Sequence, residues 1–238
     1  MRKLVILGRG RKEEGEKPFW ISYADLMSAL MVTFLLVMSV ALLAVTKNAS
    51  EAERAEARRE QEIKAVLDRI EAITRRFPGT SIDRTRNVID FGERARFETG
   101  SSRLTRDQAQ ELVLFVIDLL AVAREDVARK WLKRVVAEGF ADQRGDYLLN
   151  LDLSLQRSQR VLCVLLDTTY APHRSLDAGE MEQTRDLFFV GGYSFNSIKK
   201  TLEESRRIEL RLEFLNLNEL RPRNAEQPQR GDFGKCRI

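Results

Sequence analysis

Residues 17–34 read Lys17-Pro18-Phe19-Trp20-Ile21-Ser22-Tyr23-Ala24-Asp25-Leu26-Met27-Ser28-Ala29-Leu30-Met31-Val32-Thr33-Phe34, and the apolar run continues to Val45. The twenty residues 26–45 carry no charge. As a helix at 1.5 Å per residue they extend about 30 Å, the thickness of one hydrocarbon core. One carboxylate, Asp25, stands at the entrance. An acid in a spanning segment costs roughly 2.5–3.5 kcal/mol on insertion scales, so it marks a functional site facing protein or water.

Helical spacing says where that acid points. Ser22, Asp25, Ser28, Ala29, Val32, Leu36 and Ser39 follow at steps of three or four and share one face. Met27, Leu30, Met31, Phe34, Val37 and Met38 cover the others. Small and hydroxylated residues on a face mark where another helix packs closely. The segment therefore predicts a protonatable site in a helix bundle; a headgroup-level anchor is the alternative.

At 238 residues the chain allows one globular domain of ordinary size beside the anchor. Forty basic against 36 acidic residues, net +4, do not argue for direct nucleic acid binding. His173 is the only histidine, so neither a histidine triad nor a histidine metal cluster is available, and no enzyme or metal site is expected. Cys163 and Cys236 fit no metal spacing and no disulfide framework. Cys163, among Val161, Leu162, Val164 and Leu165, reads as a small buried hydrophobe. The basic residues Arg2, Lys3, Arg9, Arg11, Lys12 and Lys17 precede the span, which puts the N-terminus in the cytoplasm and the remainder outside the inner membrane. The apolar run exceeds the 7–15 residues of a cleaved signal peptide, so it reads as an uncleaved, single-pass anchor.

The chain then divides into a disordered cytoplasmic tail (1–17), the transmembrane helix (18–46), a periplasmic linker helix (47–80), a folded domain (81–216) and a disordered tail (217–238). Ser50 with Glu53 has the form of a capping box, predicting a fresh helix start. Ile63, Val66, Ile70, Ile73 and Phe77 are spaced 3-4-3-4, the seam of a two-heptad coiled coil, which predicts a parallel homodimer. The same stripe also suits a helix lying on its own domain. Pro78-Gly79 ends that helix. Strands are predicted near 88–91, 134–140, 187–190 and 208–214, the last alternating like an edge strand. Thr105 with Gln108 opens a helix whose apolar face is Leu112, Phe115, Val116, Leu119 and Leu120, and 153–166 forms another. Residues 198–205 are weakly helical, and 168–186 look like an insertion. The order suggests an α+β fold with helices on one face of a mixed sheet.

Two resemblances follow from these strings. Trp20, Tyr23-Ala24-Asp25, Leu26-Met27 and Phe34 resemble the transmembrane helix of the MotB family of stator subunits, and residues 17–27 are closer to the MotB-like subunits of Zorya anti-phage systems than to most flagellar ones. That resemblance implies a proton-driven inner-membrane motor. Asp25 would carry the proton, Ser22, Tyr23, Ser28, Ala29 and Thr33 would line the channel, and protons would be the driving ion with no cofactor. A ZorA-like multi-span partner, five copies around two of this chain, is implied as well. Residues 85–215 resemble the OmpA-like peptidoglycan-binding domain. The match rests on Phe97-Glu98-Thr99-Gly100, Leu104-Thr105, Gly139-Phe140-Ala141-Asp142 with Gly145, Asn150-Leu151-Asp152-Leu153-Ser154-Leu155-Gln156-Arg157, Gly191-Gly192-Tyr193 and Arg206-Arg207-Ile208-Glu209. Where that family has Gly-His-Thr-Asp, this chain lacks the His and Thr.

The implied ligand is peptidoglycan, bound through Asp142, Asn150, Leu153 and Arg157. Its peptide stems carry a diamino acid with a free carboxylate and an ammonium on one end. Asp142 can pair with the ammonium, and Arg157 can take the carboxylate through two parallel hydrogen bonds. Asn150 would orient the loop. A simple Asp142–Arg157 salt bridge is the alternative. A flagellar stator subunit and a passive wall anchor also remain open; in a passive anchor, Asp25→Asn is neutral.

Overall fold

The computed structural model describes residues 19–170, 173–220 and 233–236, so the expectation for 1–17 lies outside the described residues. It divides into two compact units, Met1–Ala55 and Glu56–Ile238. Helix α1, Phe19–Thr74, contributes to both. Neither proline nor glycine occurs within it, so nothing interrupts the backbone ladder. This corrects the predicted restart at Ser50, whose hydroxyl instead donates to the Lys47 carbonyl in mid-helix (2.9 Å).

In the first unit, α1 is the one helix among the described residues long and apolar enough to cross a membrane. Its large apolar side chains are exposed, Leu30, Phe34 and Leu36 among them. The hydroxyls of Ser28, Thr33 and Ser39 donate back to the carbonyls of Ala24, Ala29 and Leu35 at 2.7, 3.0 and 2.7 Å. Polar groups satisfied by their own helix can enter hydrocarbon.

In the second unit the last turns of α1 belong to the core. Val66, Ile70 and Ile73 are buried there, with Ile63 and Phe77 packed against the same cluster. The stripe read as a coiled-coil seam is thus covered by the chain's own domain, because one apolar face can be buried only once.

That domain is built on a five-stranded sheet of β1 Ser81–Asp83, β2 Val88–Asp90, β3 Leu132–Gly139, β4 Phe188–Gly192 and β5 Ile208–Phe214. The order is β1-β2-β5-β3-β4, with β3 and β4 parallel and the other pairs antiparallel. β5 is the middle strand, not an edge. Its alternation reflects two unlike faces: Ile208, Leu210 and Leu212 enter the core, while Arg211 on the reverse face donates to Glu138 on β3 (2.5 and 2.9 Å) and Arg134 to Glu213 (2.6 Å). A strand covered on one face alternates the same way wherever it sits. The helices are α2 Arg106–Ala123, α3 Asp126–Trp131, α4 Tyr147–Leu166, α5 Ala178–Leu187 and the single turn α6 Leu202–Ser205. Side chains of α2, α4 and α5 share one apolar core with Ile89, Val135, Ala137 and Leu210. Thr105 and Gln108 form the predicted capping box of α2. The stretch read as an insertion holds α5, capped reciprocally by Asp177 and Glu180.

Cys163 on α4 and Cys236 form a disulfide, with Cα atoms 5.5 Å apart. This corrects the reading of Cys163 as a small buried hydrophobe and of the two cysteines as no disulfide framework. It also corrects the expected disordered tail at 233–236, where the Cys236 amide donates to Asp167 (3.4 Å).

Candidate functional site

The candidate wall-binding site forms where β3 runs out against the start of α4. Gly139 ends the strand because the two elements touch: a Cβ there would stand 1.9 Å from the Ser154 carbonyl oxygen. The next residues turn inward. Phe140 and Ala141, where a His and a Thr were missing from the family pattern, are buried, and the Phe140 ring stacks on Tyr193 and lies 4.2 Å from the Arg207 guanidinium. Asp142 follows, also buried. Its Oδ1 accepts the Arg144 amide (3.0 Å), an Asx turn completed by Gly145 at φ +91°. Asn150 is buried and closes this loop, its Nδ2 donating to the Arg144 carbonyl (2.8 Å).

Asp142, Arg144 and Asn150, together with Thr99, Gly100, Leu153 and Gln156, line a cleft of about 250 Å³. All four residues predicted for peptidoglycan, Asp142, Asn150, Leu153 and Arg157, border it. They do not meet as expected. Arg157 does not bond Asp142. Its Nη1 donates to the Phe140 carbonyl (2.7 Å), Nε to Ser101 (3.0 Å) and Nη2 to Glu98 (3.3 Å), and its guanidinium lies 4.9 Å from the Phe97 ring. It is fully buried. The guanidinium that was expected to take a ligand carboxylate already holds three carbonyls. Burial, with the positive charge of Arg206 adding and Asp142 opposing, lowers its pKa to about 10.

The Asp142 carboxylate is held instead by Arg144 (Nη2 2.8 Å, Nε 3.3 Å) and Arg206 (Nη1 3.0 Å), all on Oδ2. Burial would raise its pKa, but the hydrogen bonds from Arg144 and Arg206 prevail and hold it at about 2. Arg206 is anchored behind by donating to the Phe97 carbonyl (2.8 Å). Arg144 Nη2 also donates to Thr99 Oγ1 (2.9 Å), another residue lining the cleft. Sequence reasoning missed Arg144, Arg206 and Thr99 as site residues. Arg144 carried a readable signal, an Arg two residues after an Asp and just before a Gly; Arg206 was read only as a strand flank.

In the first unit Asp25 is exposed on α1. At about 100° per residue, Ser22, Ser28, Ala29 and Thr33 fall on the Asp25 side of the helix, whereas Tyr23 lies roughly 160° round from it. The helix therefore gathers four of the five predicted channel-lining residues around the acid. Among the described residues no group of three or more His, Cys, Asp or Glu side chains could hold a metal ion.

Over 217 residues the chain is 42% identical to Zorya protein ZorB of Escherichia coli, covering 91% of this chain and 88% of that protein. No family model matches. Solved structures are less similar. The periplasmic domain of MotB is 16% identical with a TM-score of 0.42, covering 61% of this chain and 74% of that one. The cell wall anchor of the T6SS from Pseudomonas aeruginosa is 21% identical at 0.39, covering 63% and 97%. The OmpA-like domain of FopA1 from Francisella tularensis is 17% identical at 0.34, covering 58% and 82%.

Proposed function

We propose, from the premise that this chain belongs to the ZorB family, that it is the stator-like, non-enzymatic subunit of a proton-driven inner-membrane motor acting in anti-phage defence. The observation that carries this reading is Asp25, a lone carboxylate at the mouth of an otherwise uncharged exposed helix segment, with small and hydroxylated residues on its side. Protons would reach Asp25 between α1 and the helices of a ZorA-like multi-span partner, five copies around two of this chain. The membrane potential offers roughly 2.3 kcal/mol per charge per 100 mV to drive such transfer. Alternating protonation of the two Asp25 copies would turn the partner ring. Because the predicted coiled-coil seam is covered, the homodimer would have to form through other surfaces.

The second unit would hold the motor still by binding peptidoglycan through the cleft at Asp142, Asn150 and Leu153. Arg157 would act from behind by tying the loop at 98–101 to Phe140. The Cys163–Cys236 disulfide supports a periplasmic location for this unit, since such bonds persist in oxidising compartments. The N-terminus would then lie in the cytoplasm.

The decisive experiment is Asp25→Asn in a phage-plating assay, with membrane level and co-purification of the multi-span partner measured alongside. Complete loss of protection at unchanged level and unchanged co-purification is expected. Protection equal to wild type would leave only a passive wall anchor.

A further inference from the structure

We infer that Arg144 is the specificity-determining residue of the wall-binding cleft: a zwitterionic diamino acid inserts into the Asp142–Arg144 pair, its ammonium taking Asp142 and its carboxylate taking Arg144. This rests on the reading of the cleft as a peptidoglycan site and assigns the partner for the ligand's acid group.

Elimination among the cations comes first. Three arginines line the cleft, Arg144, Arg157 and Arg206. Arg157 is fully buried and bonded to three carbonyls. The Arg206 side chain is 8% exposed and fixed by Phe97, Asp142 and Glu203. The Arg144 side chain is 52% exposed and is the one with a solvent-facing route to an incoming anion. Its two side-chain partners, Asp142 Oδ2 and Thr99 Oγ1, both line the cleft and come from separate segments, so Arg144 ties two parts of the cleft wall together.

Geometry also sets what the ligand must carry. Displacing the Arg144 side chain would leave the nearly buried Asp142 carboxylate with Arg206 as its one remaining side-chain donor, and a buried charge short of hydrogen bonds is costly. A ligand must therefore bring its own cation to Asp142. Arg144, swung outward on the Gly145 turn, would then lack its anion, and a carboxylate next to the ligand's ammonium would restore a paired, bidentate contact. Arg206 stays on Asp142 throughout and keeps that carboxylate ionised and oriented. A plain amine or a plain carboxylate satisfies only one half of the opened pair.

The test uses the full chain in detergent, sedimented with purified diaminopimelate-type sacculi. A stem peptide whose diaminopimelate keeps the ammonium and carboxylate of its one free end, and the same peptide with that carboxylate amidated, serve as competitors. Wild type should be displaced more effectively by the acid than by the amide, by roughly tenfold, the usual range for a lost charge-assisted hydrogen bond. Arg144→Ala should bind sacculi about tenfold more weakly and should no longer distinguish acid from amide, while Arg144→Lys regains part of that discrimination. A merely structural role for Arg144 would not move this ratio. An Arg144→Ala chain that keeps the wild-type acid-to-amide ratio, or that binds sacculi more tightly, overturns the inference and leaves the wall reading standing. A wild-type chain that does not sediment with sacculi, or Asp142→Asn binding as well as wild type, overturns the wall reading and this inference with it.

Discussion

The two units of this chain place the same residue types in opposite surroundings. In the first, Leu30, Phe34, Leu36 and their neighbours stand exposed, and hydroxyls bond only their own helix. In the second, Ile70, Phe115 and Leu210 are sealed, and so are Glu138, Arg157 and Glu209, each matched by a partner. The difference teaches that a side chain's place is set by what will receive it. An apolar helix surface without protein over it is shaped for lipid or for a partner's helices, and an arginine can be buried once carbonyls or carboxylates replace its water.

The contrast can be broken most severely at the disulfide. Cys236→Ser should lower the unfolding free energy of the second unit by about 4 kcal/mol on the chain-entropy account, the two cysteines being 73 residues apart. Denaturant unfolding under non-reducing conditions measures this, and a trapped-thiol gel of the wild type should show no free cysteine. Next comes Ile70→Ala, expected to cost about 3 kcal/mol because that side chain is fully buried in the domain. Leu36→Ala, in the first unit, should leave the same transition unmoved. If Ile70→Ala instead changed only the oligomeric state, the coiled-coil reading of the stripe would return.

A smaller effect attaches to Asp142. Its folded pKa of about 2 lies below the ordinary value of 3.8, so its ion pairs contribute stability that is fully present above about pH 4. That contribution, about 2 kcal/mol, is lost as the pH falls through 2. The stability gap between wild type and Asp142→Asn should therefore be constant from pH 5 to 8 and close progressively in acid.

Much of this was legible in the linear chain, and for identifiable reasons. The apolar segment, the Thr105 cap and the alternation of 208–214 are local patterns whose period or chemistry does not depend on the rest of the molecule. The cleft's residue types were legible too: Asp142, Asn150, Leu153 and Arg157 do line one site. What they bond was not. Arg157 was assigned an open hand and is instead clasped by the carbonyls of Glu98, Ser101 and Phe140. Arg206, 64 residues from Asp142, could not be paired with it by spacing. Helix α5 was missed because its apolar positions are few, even though Asp177 and Glu180 form its capping box.

By itself the sequence determined that one charge-free stretch suits a hydrocarbon core, that an acid guards it, and that an α+β domain follows. Those are properties of composition and period, which a chain possesses before it folds. Only the tertiary structure decided that the 63–77 stripe belongs to the domain's own core, that Cys163 meets Cys236, and that Arg144 and Arg206 hold Asp142. The first two, and the Arg206 contact, depend on which distant segment the fold brings to a surface that only one partner can cover.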